Sequence, residues 1–110
     1  MSFSVIPSDK FKKEYKRLLK KYPSLKNELN LLSDILTNQP TTGTPLGDNV
    51  YKIRIAIKSK GKGKSGGGRV ITYAIVQSKE VYLLTIYDKA EFDNINDGTL
   101  KAIIKSIKRL

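Results

Sequence analysis

Four side chains in this sequence of 110 residues have the types and spacing for phosphate chemistry: Lys52, Arg54, Arg69 and Tyr87. Lys52 and Arg54 lie two residues apart in "YKIRIAIK". Alternation there puts Tyr51, Ile53, Ile55 and Ile57 on one side and Lys52, Arg54, Ala56 and Lys58 on the other. In a strand that spacing is about 7 Å, which suits one phosphate or two neighbouring ones. Arg69 stands where a glycine run ends and the next apolar run begins. Its planar fork can clamp a phosphate through two parallel hydrogen bonds. If the strands flanking that run pair, Arg69 falls at the same sheet end as Lys58. Tyr87 closes "VYLLTIY" and offers a phenolic proton. Tyr73 and Tyr87 also offer planes on which bases stack, although Tyr73 lies mid-strand, a position that equally suits the core.

The chain has no His and no Cys. That removes ordinary zinc sites, Ser-His-Asp triads, cysteine nucleophiles and disulfides. Acid–base work falls to Asp, Glu, Lys, Arg or Tyr. Glu91 and Asp93 are two carboxylates with no further ligand cluster around them, so neither a metal nor a small-molecule cofactor is expected. The stretch "KSKGKGKSGGGR", Lys58 to Arg69, carries five cations and no acid. It is not a phosphate-binding P-loop, because "GKGKSGGG" leads into an apolar strand rather than a helix. It reads as a cationic hairpin whose Lys58, Lys60, Lys62 and Lys64 dock a polynucleotide, or as a plain flexible tip. The whole chain has 21 Lys+Arg against 10 Asp+Glu, a net charge of +11. Such a bias favours polyanionic partners, nucleic acid first, through counterion release.

The elements that must position these residues follow from periodicity. Phe3 to Ile6 reads as a short strand stopped by Pro7, with Ser8 as a helix N-cap. Phe11, Tyr15, Leu18, Leu19 and Tyr22 recur on one helical face, and Pro23 ends that helix. Ser24 caps a second helix whose buried stripe is Leu25, Leu29, Leu32 and Leu36. The two form a helical hairpin. Residues 37–49, with two prolines and two glycines, read as a loop. Three strands follow, at 51–58, 69–76 and 81–87, joined as an antiparallel meander. After a loop at 88–97, Leu100, Ile103, Ile104, Ile107 and Leu110 mark a last helix with Asn96 or Asp97 near its start. The order β-α-α-β-β-β-α, with helices packed on one face of a small sheet, makes a single α+β domain over residues 1–110. No apolar run approaches the roughly 20 residues of a membrane span. The opening "MSFSVIPSDKF" lacks the pattern of a secretory leader. A cytoplasmic protein with no membrane partner is expected.

Two segments together, "YKIRIAIKSKGKGKSGGGRVITYAIV" and "VYLLTIYDKAE", resemble the RelE/ParE superfamily of type II toxins, and within it the HigB-like branch. The resemblance covers nearly the whole chain, including the helical hairpin. It implies a RelE-like fold and a toxin that cleaves messenger RNA in the ribosomal A site, a metal-independent endoribonuclease acting as an mRNA interferase. The implied partners are a cognate antitoxin, the ribosome with its rRNA, and mRNA. Lys52 and Arg54 match the basic strand positions of RelE-like toxins, Arg69 the arginine opening the next strand, and Lys89 the family lysine, with Tyr87 beside it. Ala90 replaces a further arginine of RelE, and the tail "LKAIIKSIKRL" lacks the C-terminal tyrosine that some RelE-type enzymes use.

In the reaction so implied, the RNA 2′-OH attacks the adjacent phosphate, giving a 2′,3′-cyclic phosphate and a free 5′-OH. Arg54 and Arg69 would stabilise the phosphoryl oxygens. Lys52 or Lys89 would serve as base or acid, with Tyr87 the second candidate for proton transfer. Alignment of the substrate by the ribosome would supply part of the rate. The same fold also serves ParE-like toxins that inhibit gyrase by binding it, and non-catalytic RNA-binding relatives. A wrapped antitoxin segment would cover the basic site or block ribosome entry, and would displace the last helix in one arrangement.

Overall fold

The structure is a computed structural model that describes residues 2–61, 66–91 and 96–108. Ser4–Pro7 forms β1, Asp9–Lys21 α1, Leu25–Asn38 α2, Thr44–Gly47 β2, Val50–Ile55 β3, Gly68–Ile75 β4, Glu80–Asp88 β5 and Asp97–Lys108 α3, with a 3-10 turn at Lys58–Lys60. The strands make one sheet in the order β1-β5-β4-β3-β2. It is antiparallel except at β1, which runs parallel to β5 in the register Ser4↔Glu80 to Pro7↔Leu83. The α+β class and the helical hairpin are as the periodicity predicts. Among the described residues, no helix is long and apolar enough to cross a membrane.

Local chemistry explains the helix ends. The Ser8 hydroxyl accepts from the Phe11 N–H at 3.1 Å, satisfying one of the orphan donors of α1. Asp9 stands in the first turn, and Lys20 and Lys21 stand in the last, each favoured by the helix dipole. Pro23 follows the C-cap Tyr22 and stops the helix. Asn96 caps α3, its side chain accepting from Thr99 N–H at 2.7 Å.

The structure departs from the sequence reading at four places. The expected loop 37–49 contains β2, which pairs with β3 through a two-residue turn at Asp48 and Asn49, both with positive φ (54° and 65°). Two left-handed residues in succession make the tight turn that matches strand twist. β2 is four exposed residues with a proline and a glycine, so no alternation betrays it. The strand expected at 51–58 ends at Ile55, and Lys58 belongs to the 3-10 turn. Ser24 makes no side-chain cap bond to α2; its hydroxyl accepts from Ser59 N–H instead, at 2.8 Å. Finally, the helices occupy both faces of the sheet. α1 and α2 pack with Ile53, Ile55, Ile57, Val70, Ala74, Val81, Leu83 and Ile86. α3 packs its Leu100, Ile103 and Ile107 with Val50, Ile71, Tyr73, Leu84 and Tyr87. Alternation along each strand puts those two sets on opposite faces. β4 and β5, covered on both, are the central strands.

Candidate nucleic-acid interface

The sheet register brings three of the sequence-selected residues into one row. Arg54 lies opposite Arg69 across β3 and β4, and Arg69 lies opposite Tyr87 across β4 and β5. Directly opposed residues sit about 5 Å apart, so the row presents two guanidinium groups and a phenol over roughly 10 Å. Lys52 is two residues further along β3, opposite Ile71. Lys89 comes just after β5, and its N–H extends the ladder to Gly67 O at 3.1 Å. The row therefore lies at the sheet end from which the glycine–lysine stretch departs, on the face that carries α3.

An irregularity in β5 puts Tyr87 in that row. Ile71 pairs with Thr85 but Thr72 pairs with Leu83, so Leu84 is an extra residue. Without this bulge, Leu83, Thr85 and Tyr87 would all share one face; with it, Tyr87 turns to the α3 face and Asp88 to the hairpin face. The polar groups released by the bulge have partners from the start of the chain. Ser8 Oγ donates to Leu84 O at 2.9 Å. Glu14 of α1 accepts from Thr85 Oγ1 at 2.5 Å and from Ile86 N–H at 3.3 Å. The N-cap and second turn of α1 thus hold the distortion that aims Tyr87.

The row grades from buried to open. Arg69 is only 5% exposed, and its Nη1 donates to Gly68 O at 2.9 Å. Tyr87 is buried beside it. Burial pushes the Tyr87 phenol above its ordinary range, with the Arg69 charge pulling the other way, so the phenol is protonated at neutral pH. Arg54 is exposed and Lys52 half-buried. Arg54 thus stands at the solvent side of the row and Arg69 at its inner side. Beside them, a groove of about 670 Å³ runs between α2 and the outer edge of β3, with Leu31 and Ile35 on its apolar wall and Lys52 and Arg54 on its other side.

Asp88, on the opposite face from Tyr87, roots the cationic stretch. Its carboxylate accepts from Tyr22 OH at 2.9 Å, from Ala90 N–H at 2.9 Å and from the Lys60 ammonium, which also reaches Gly66 O at 3.0 Å. Burial alone would push this acid up. The hydrogen bonds from Lys60, Ala90 and Tyr22, and the Lys60 charge, outweigh it and hold the carboxyl below its usual range. Ser59 and Ser24 exchange backbone-to-hydroxyl hydrogen bonds at 2.8 and 2.9 Å, a second tie between the stretch and the helical hairpin. Lys60 therefore differs from the docking lysine expected of it: its ammonium is turned into the fold. Lys58 is exposed, as a docking residue requires. Lys62 and Lys64 lie outside the described residues. Tyr73, expected at the RNA surface or in the core, is 8% exposed and packs under α3.

Sequence reasoning missed Asp88, Tyr22, Glu14 and Ser8 as supports of the site. Only Ser8 carried a signal, as an N-cap; the others join through contacts 66 to 71 residues apart in sequence. Among the described residues there is no group of three or more side chains suited to a metal ion.

The family described as "RelE toxin of RelE / RelB toxin-antitoxin system" matches residues 10–110. The chain belongs to the RelE toxin family. A structure of an E. coli RelE toxin, a mutant with two arginines changed to alanine in the free state, superposes with a TM-score of 0.65 at 15% identity, covering 97% of this chain and 99% of that one. At that identity the likeness speaks for the RelE fold. Membership makes the chain a toxin of a toxin–antitoxin system and implies an antitoxin partner.

Proposed function

We propose that this RelE-family toxin is a ribosome-dependent endoribonuclease that cleaves mRNA in the A site and so stops translation in the cytoplasm. The observation that carries the reading is the cross-strand row Arg54–Arg69–Tyr87, with Lys52 and Lys89 beside it. Two arginines and a protonated phenol at one sheet end form a set of donors aimed at an anion. A toxin that only blocked a protein partner would have no use for a buried guanidinium fork at such a place.

The chemistry balances without a metal. The 2′-OH loses its proton to Lys52 or Lys89 in its neutral form as the O2′–P bond forms. The P–O5′ bond breaks, and the leaving oxygen takes a proton from Tyr87 or from the other lysine. Charge on the two non-bridging oxygens is stabilised by Arg69, fixed in place, and by Arg54 from the solvent side. Pre-set donors of this kind cost no reorganisation during the reaction. The ribosome would align the 2′-OH with the scissile bond, which accounts for an enzyme with so few general acid–base groups. A cognate antitoxin that covers the row would silence it directly.

The test is cleavage of message on programmed ribosomes, mapped by primer extension. Discrete cuts within translated codons, lost in Arg69→Ala, are expected. Cuts that persist undiminished in Arg69→Ala would sink the site. Intact message together with inhibited DNA supercoiling by gyrase would replace the reading with the gyrase-directed one.

A further inference from the structure

The cations of the Arg54–Arg69–Tyr87 row lie on one face of the sheet, yet the densest exposed charge lies on the other. α1 exposes Lys12, Lys13, Lys16, Arg17, Lys20 and Lys21. Its two carboxylates do little to balance them. Glu14 is turned toward Thr85 and Ile86 and pairs with Lys10, and Asp9 stands at the helix start. Among the described residues, Glu91 pairs with Arg17 alone, while Lys12, Lys13, Lys16 and Lys20 have no carboxylate partner.

Helix energetics argue against this arrangement. Lys12–Lys16, Lys16–Lys20, Lys13–Arg17 and Arg17–Lys21 are four like-charged pairs at a spacing of four residues, each unfavourable by about 0.2–0.5 kcal/mol. Lys20 and Lys21 at least complement the dipole of the last turn. Lys12 and Lys13 stand near the positive end, where cations are disfavoured. Core packing does not require them either, because the buried face of α1 is Phe11 and Leu18. Charge placed against the local preference answers to something outside the helix.

We propose that the outer face of α1 is a second docking surface for structured RNA, separate from the Arg54–Arg69–Tyr87 row and on the far side of the sheet. Lys12, Lys16 and Lys20 run along about 12 Å of helix at intervals of about 6 Å, a ladder of point charges suited to successive backbone phosphates. Lysines that read no base edge position a partner without selecting its sequence. A membrane surface fits less well: it calls for large apolar side chains at the same face, and the exposed ones, Leu31, Ile35, Leu46 and Val76, all lie elsewhere. With a basic surface on each side of the sheet, the toxin can hold folded RNA through α1 while the opposite face engages the message. This inference rests on the ribosome-directed reading but has its own readout.

The experiment compares wild type with a Lys12→Gln, Lys13→Gln, Lys16→Gln, Lys20→Gln variant, using the full chain and purified ribosomes carrying no message. Affinity is measured across a salt series. The variant is expected to bind at least tenfold more weakly near 0.1 M salt, with the slope of log K against log salt flatter by about three units, at roughly 0.7–0.9 for each phosphate no longer neutralised. Its thermal midpoint is expected to stay level or rise as the like charges are relieved. On programmed ribosomes KM should increase with kcat unchanged. Unchanged affinity and slope would overturn the proposal. So would a loss confined to antitoxin binding, which would assign α1 to an acidic protein partner. Failure of the cleavage reading shows separately, as cuts that survive Arg69→Ala.

Discussion

The two faces of the sheet are built to different ends. The hairpin face buries Leu18, Leu25 and Leu36 completely, and its one cluster of buried charge among the described residues, Asp88 with Lys60, is satisfied by Tyr22 and Ala90 as well. The α3 face is thinner. Leu100, Ile103 and Ile107 each remain 7–8% exposed over the buried Ile71 and Leu84, and the same face also carries Lys52, Arg54 and Arg69. Both faces use the same two strands, β4 and β5, with alternate residues turned each way. Stability is thus concentrated on one side of a shared scaffold, and the other side is left to carry cations that a core would reject.

The sharpest way to break that contrast is to delete volume on each side. Leu18→Ala should cost about 2–5 kcal/mol in urea unfolding, and Ile103→Ala should fall at the low end of that range because its site is open enough to relax. Equal losses would mean that the two cores carry equal weight. Arg69→Ala should do the reverse of Leu18→Ala. Cleavage should drop by about 10²–10³-fold, the cost of losing a pre-set donor to the transition state, while the chain stays folded by circular dichroism. Arg69→Lys, which keeps charge without the fork, should restore only part of the rate.

Asp88→Asn tests the buried ion pair. A loss of about 1.5–3 kcal/mol at neutral pH is expected, the range for hydrogen bonds to a charged group. The sign of its pH dependence follows from the lowered carboxyl. The stabilisation is fully present above the ordinary carboxylate value and is lost as pH falls below it through the depressed folded value. The gap between wild type and Asp88→Asn should hold steady above about pH 5 and close in more acid solution; a gap that widened there would contradict the network. Ser8→Ala removes both a helix cap and the hydroxyl that serves Leu84 O, for about 1 kcal/mol. The smallest effect belongs to Arg17→Ala. Its two-pronged contact with Glu91 is largely in solvent and should contribute less than about 1 kcal/mol, fading as salt is added.

The sequence shows how such a site can be half visible. Lys52 and Arg54 stand out because cations alternate with apolar residues, and Arg69 because it stands where a glycine run gives way to an apolar one, and both are local signals. The helical hairpin was equally legible from its leucine stripe and prolines. Tyr87 is different. Straight alternation through "VYLLTIYD" puts it with Leu83 on the hairpin face, and only the extra residue at Leu84 reverses that. No residue type in that run announces a bulge, since the groups that stabilise it, Ser8 and Glu14, lie more than 70 residues away. Within the lysine run, composition sets no residue apart, yet Lys60 is engaged by an acid that lies 28 residues on. β2 was hidden because four exposed residues owe their pairing to the Asp48–Asn49 turn rather than to any pattern of their own.

The parallel pairing of β1 with β5 sets a clock. Residues 4–7 are completed as a sheet edge only by residues 80–83, far along the chain. Both cores take their central strand from β5, and the row gains Tyr87 there. While β5 is still inside the exit tunnel of the ribosome that makes it, the nascent chain has neither a closed sheet nor an assembled row. Contacts of such long sequence separation form late and slowly. The row therefore assembles only after β5 has been made. An antitoxin waiting at that moment would meet the chain before the row exists, with no need to dislodge it from a target.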